Sequence, residues 1–117
     1  MASTSPRVTV AKATRAAHRY DAVCDALGDA TRRQILEQLR RRPASVGALA
    51  EVLPVSRPAV SQHLRVLQNI GLVGHRTEGT KNVYHVDPAG LEPLRSWLDD
   101  FWRDALDSFA EYVRRHQ

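Results

Sequence analysis

Arg57, Ser61, Gln62 and Arg65 fall within the stretch SRPAVSQHLRVL, at spacings that would place them on one outer face of a helix. Their chemistry is recognition. A guanidinium fork matches O6 and N7 of guanine, and a carboxamide matches N6 and N7 of adenine. Further on, Arg76, Thr80 and Lys81 gather about Gly79, making a polar, basic tip suited to phosphate. Nothing nearby suggests catalysis. There is no Ser–His–Asp order, glycine-rich phosphate loop or paired-carboxylate motif. Asp99 and Asp100 are adjacent, so on a helix they point about 100° apart and cannot act together. An enzyme is not expected.

These side chains need a rigid frame. Ser56 is a cap for their helix, Pro58 suits its first turn, Val60, Leu64 and Leu67 form its inner stripe, and Gly71 closes it. A short helix capped by Ser45 precedes it and runs through Leu53. Only Pro54 and Val55 lie before the next cap. Two helices joined so tightly, with the polar face on the second, make a helix-turn-helix. The period then changes to that of strands at Leu72–Thr77 and Asn82–Val86, with Glu78–Lys81 between them, which adds a wing. A loop centred on Gly79 and Thr80 sets His75 opposite Tyr84 and His85 opposite Gly74. That separates the two histidines and argues against a cross-strand metal site. His63 falls between Val60 and Leu67 on the helical wheel and reads as a packed histidine.

Two helices come earlier. One spans about His18 to Leu27, with Tyr20, Val23 and Leu27 as its stripe. Asp29 caps the other, Ala30 to Arg41, which buries Ile35, Leu36 and Leu39. Arg40, Arg41 and Arg42 sit at its end, where cations oppose the negative dipole, and Pro43 stops it; the run reads as a solvated helix end, with phosphate contact as the minority reading. Cys24 lies close to the first stripe and reads as a buried thiol, with an intersubunit disulfide as the minority reading. Pro88 opens a last long helix, Ala89 to Arg115. Leu98, Phe101, Phe109 and Val113 continue its stripe, and Trp102, Leu106 and Tyr112 widen it. The fold class is mainly α with a small β-hairpin: a winged helix-turn-helix of five helices. One domain covers 16–117, behind a flexible basic arm at 1–15.

Composition narrows the class. The chain has 117 residues, enough for one domain. No run approaches the roughly 18 apolar residues of a membrane span. A single cysteine can make neither an internal disulfide nor a multi-cysteine zinc site. Residues 1–81 hold 13 Lys and Arg against 6 Asp and Glu, whereas 82–117 hold 4 against 7. The first part therefore suits a polyanion and the tail does something else. Residues 1–20 carry no acid, as in organellar transit peptides. The reading taken is a disordered basic arm on a cytoplasmic protein.

The segment Ala26–Val86 resembles the ArsR/SmtB family of bacterial winged-helix repressors. The matching pieces are ALGDATRRQIL, VSRPAVSQHLRVLQNIGLV and the glycine-tipped wing ending in VYHV. The resemblance implies a homodimeric repressor, with Arg57, Pro58, Ser61 and Gln62 in the major groove. Ser45, at a helix start, is a candidate for phosphate, and Ser56 completes the DNA-binding set with Arg65, Arg76, Thr80 and Lys81. It also implies dimerisation through the first and last helices, here Tyr20, Val23, Leu27, Leu98, Phe101, Trp102, Phe109 and Val113. This chain departs from the metal-sensing members. SVGALAEVL has neither cysteine nor histidine, and Ala89 to Arg115 has no histidine. A metal is therefore not expected, and no cofactor is.

The dimer also follows without the resemblance. A helix of about 27 residues is roughly 40 Å long. It outreaches a small winged core and leaves an apolar patch that self-association would bury. The expected function is a sequence-specific repressor on a double-stranded, pseudo-palindromic operator. The alternatives are a non-specific or architectural DNA-binding protein and an antitoxin-like interaction module. The aromatic-rich last helix has a second reading, as the site of an unidentified small-molecule or lipid effector.

Overall fold

The computed structural model describes residues 20–117. The arm expected over 1–15 lies outside the described residues. Helix α1 occupies residues 20–27 and ends at Gly28, whose N–H donates to the Cys24 carbonyl at 2.9 Å. Asp29 then caps α2 (Ala30–Arg41) by accepting the Arg32 N–H at 3.0 Å. Arg42 takes the extended backbone that a following proline favours and leads into β1 (Ala44–Ser45). Ser45 caps α3 (Val46–Val52). Ser56 caps α4 (Arg57–Asn69), with Pro58 in its first turn. Gly71, at φ +82°, ends α4. The wing is β2 (Val73–Glu78) and β3 (Lys81–Val86). One 3-10 turn (Pro88–Leu91), capped by Asp87, leads into α5 (Glu92–Arg115).

The sheet is antiparallel, in the order β1-β3-β2. His75 pairs with Tyr84 and Gly74 with His85, the register expected from the loop centre. Three details differ from the sequence reading. Glu78 and Lys81 pair with each other, so only Gly79 and Thr80 connect the strands, and Gly79 stands at φ +64°. The short β1 is new; it joins Ala44 to Tyr84 and Ser45 to Val83. The last α-helix begins at Glu92, not Ala89, because Pro93 has no N–H to bond back to Ala89 and a 3-10 turn takes up the gap.

The core draws Val23 and Ala26 from α1, Ile35 and Leu39 from α2 and Leu49 from α3. Val60, Leu64 and Leu67 come from α4, with Leu53, Leu72 and Val73 from the connections and wing. These are the apolar positions spaced for one face of each helix. No polar or charged residue is buried among the described residues. From the C-terminal part, Leu91 and Leu94 pack on this core, but α5 has no buried residue. The turn before α5 sits hard against the end of α4. A β-carbon at Gly90 would lie 2.1 Å from the Gly71 carbonyl oxygen. Cys24 is exposed, which corrects the expected buried thiol: Val23 and Ala26 face the core, and Cys24 is turned off that stripe.

Candidate nucleic-acid interface

Ser45, Arg57, Ser61 and Lys81 come from three elements, β1, α4 and β3, and line one groove of about 530 Å³. The fold explains how. β1 ties the start of α3 to β3, so Ser45 stands beside the wing. The short link after α3, Leu53 to Ser56, then sets the start of α4 against α3. The Arg57 guanidinium lies over the first turn of α3; its Nη2 would be 3.2 Å from a β-carbon built on Gly47. Gly47 leaves room for it. Arg57 and Lys81 enter no ion pair among the described residues, whereas Glu51 is the one carboxylate in the groove lining. The groove is therefore cationic toward solvent, and a phosphodiester needs that.

The other sequence candidates surround it. Gln62 and Arg65 are exposed on the outer face of α4, and Pro58 is exposed in its first turn. Ser45 and Ser56 use one lone pair each on a cap, accepting from Ala48 N at 3.2 Å and Ala59 N at 3.3 Å. Each hydroxyl hydrogen stays available to a phosphate oxygen. At the tip, Thr80 is exposed, and Arg76 Nε donates to Glu78 Oε2 at 2.6 Å. That carboxylate offsets part of the wing charge. His75 leans on Tyr84, with ring centroids 5.2 Å apart, and its Nδ1 meets Gln68 Oε1 at 3.3 Å.

Beneath α4, His63 is half-buried, as its place on the wheel suggested. Its Nδ1 and the Nε of Arg32 are buried with no hydrogen-bond partner among the described residues. Asp29 is nearby. The Arg32 backbone N–H holds its carboxyl below the ordinary value, with smaller help from the charges of His63 and Arg32. Sequence reasoning missed Gly47, Glu51, Asn82 and Tyr84 in the groove. The signal for Asn82 was available, since Thr77 stands opposite it and donates to its Oδ1 at 3.1 Å. The signal for Gly47 was not, because its role depends on the path of Arg57.

The candidate dimer residues divide. Val23 is 2% exposed and already belongs to the core of the single chain. Leu27 is half-buried, and Tyr20 stacks on Trp97 at 5.5 Å. Leu98, Phe101, Trp102, Phe109 and Val113 are all exposed, Phe109 by 65%. Among the described residues no helix is long and apolar enough to cross a membrane.

Comparison with known proteins agrees with this geometry. Residues 29–74 match the model of the bacterial regulatory protein arsR family. The HTH-type transcriptional regulator Rv2034 of Mycobacterium tuberculosis is 53% identical over 80% of this chain and 87% of its own length. The transcriptional repressor SdpR of Bacillus subtilis is 29% identical over 68% of this chain and 88% of its own. Among solved structures, Mb0332 of Mycobacterium bovis, described as a homodimeric winged helix-turn-helix DNA-binding domain, superposes with a TM-score of 0.63. It shares 27% identity over 83% of this chain and 89% of that one. Such proteins regulate transcription rather than catalyse reactions. On its sequence, fold and relatives, this chain belongs to the ArsR family of bacterial transcriptional regulators.

Proposed function

We propose that the protein is a homodimeric, sequence-specific transcriptional repressor that reads a pseudo-palindromic operator with α4 and the wing. The observation carrying this is the groove in which Ser45, Arg57, Ser61 and Lys81 converge. Arg57 and Gln62 act on base edges, with Pro58 packed beside them. Ser45, Ser56, Arg65, Arg76, Thr80 and Lys81 hold the phosphate backbone. An α-helix fits the major groove, and its first residues reach the bases. Two-fold pairing through α1 and α5 covers Leu98, Phe101, Trp102, Phe109 and Val113, with Tyr20 and Leu27 at the margin. It would place two α4 helices about 34 Å apart, matching half-sites one turn of DNA apart. Repression and dimerisation are supported by the relative called a repressor and by the neighbour described as homodimeric.

The reading is of a member without the metal sites of the metal-sensing relatives, because α3 carries no cysteine or histidine and α5 carries no histidine. The effector, if α5 holds one, is an apolar small molecule or lipid on its aromatic face.

The test is recovery of fragmented genomic DNA on the purified protein, followed by sequencing. The expected result is a small set of fragments sharing a pseudo-palindrome. These should resist competition by unrelated DNA at equal mass, and light scattering should give a dimeric mass at micromolar concentration. Uniform recovery of all fragments would favour an architectural protein. A stoichiometric protein partner with no DNA recovery would favour an interaction module.

A further inference from the structure

We propose a second phosphate-binding surface, the cleft between the end of α2 and the far side of α3, in which Arg41 and Arg42 hold the DNA backbone beside the segment that α4 reads. This rests on the reading of the protein as DNA-binding, and extends the contact to residues outside the helix-turn-helix and wing.

The cleft, of about 370 Å³, is lined by Gln38, Arg41, Arg42, Ala44, Ala48 and Val52, together with Leu49. Both arginines are exposed, and neither makes an ion pair or a side-chain hydrogen bond among the described residues. Residues 1–19 contain no carboxylate that could pair with them. Their neighbour Arg40 is different: its Nη2 is tied to Glu37 Oε2 at 2.8 Å. The cleft wall holds no acid, so an anion entering it meets two guanidinium groups and the Gln38 amide without competition.

Position completes the case. Ala48 lines both this cleft and the groove holding Arg57 and Lys81, so the two lie back to back across the first turns of α3. In a docked helix-turn-helix the first helix of the pair crosses the sugar-phosphate backbone. Here that helix is α3. Arg42 precedes Ser45 by three residues, at most about 10 Å of extended chain. A strand passing Ser45 therefore continues along the arginine cleft. Compensation of the α2 dipole accounts for cations at its end. It does not account for their alignment along a cleft whose other wall is α3.

The experiment uses full-length protein and a duplex recovered by that protein from genomic DNA. Salt titrations compare wild type, R40Q, the double variant R41Q/R42Q and R41K/R42K, with thermal melts as a check on folding. Each lost phosphate contact removes about 0.9 from the log–log salt slope. The double variant, losing four contacts per dimer, should be shallower by about 3 to 4, with R40Q unchanged and the lysine pair restoring the slope. Phosphate ethylation interference on the wild type should mark positions flanking the bases protected by α4. An unchanged slope in a folded double variant, or no flanking interference, would overturn the cleft alone. Failure of the wild type to recover any duplex would overturn this proposal and the DNA-binding reading together.

Discussion

The head of the molecule and its last helix solve opposite problems with similar apolar content. From α1 to the wing, each helix puts its apolar stripe into one core, and Ile35, Val60, Leu64 and Leu67 reach 0% exposure. In α5 the stripe is as regular, yet Phe101, Trp102 and Phe109 are 60%, 64% and 65% exposed. The first region is complete as a single chain. The second has the pattern of a buried helix and, among the described residues, little to be buried against. Amphipathic periodicity therefore reports that a face is to be covered, not by what.

The contrast is sharpened most by paired truncations. Leu64→Ala, in the core, should cost about 2–5 kcal/mol in urea unfolding at any protein concentration. F101A/F109A should leave the monomer folded and shift sedimentation toward monomer, with a melting temperature that depends on concentration only in the wild type. Equal, concentration-independent losses from both would erase the distinction between the regions. Next comes the seam between them. Gly90→Ala forces a methyl into the Gly71 carbonyl and should cost about 1–3 kcal/mol or more by thermal melting. A melt like that of the wild type would mean that the turn moves freely relative to α4.

Smaller effects separate the two kinds of DNA contact. Arg57→Ala should lose about 1–3 kcal/mol on the selected duplex and relax preference at one base position of each half-site, whereas Lys81→Ala should weaken all sequences alike and lower the salt slope by about two, one per protomer. The same loss from both on selected and scrambled DNA would remove the division of roles. The smallest effect belongs to Asp29. Its carboxyl is held low by the Arg32 N–H, so its contribution is present above the ordinary aspartate pKa of about 3.9 and fades as pH falls through the lowered value. Asp29→Ala should thus lower the melting temperature slightly at pH 7, and the difference should shrink as pH falls below the ordinary aspartate value. A difference that grows on acidification would reverse the sign.

What was legible in the sequence was local. Caps at Asp29, Ser45 and Ser56 need only the residue and the turn that follows. Gly71 and Gly79 announce positive φ, and the hairpin register follows from its loop. What escaped depends on partners distant in the chain. A two-residue strand such as β1 has no period to detect, yet it brings Ser45 to the wing. The Arg76–Glu78 pair depends on side-chain direction at the tip. The groove was anticipated in Ser45, Arg57, Ser61 and Lys81, because a cap, polar residues on a buried helix's outer face and a basic hairpin tip stand out. Gly47 and Tyr84 did not stand out, since small and aromatic residues usually signal packing.

The contact of Gly90 with Gly71 bears on how DNA is measured. In the proposed dimer joined through α5, the turn at Gly90 is a close contact between the coupling helix and the end of α4. A hydrogen atom of Gly90 stands there where a side chain would push the elements apart. In that proposed dimer the span between the paired reading heads would be set like the jaws of a caliper. Lengthening an operator's central spacer by one or two base pairs should be felt at this joint before it is felt at any base-contacting side chain.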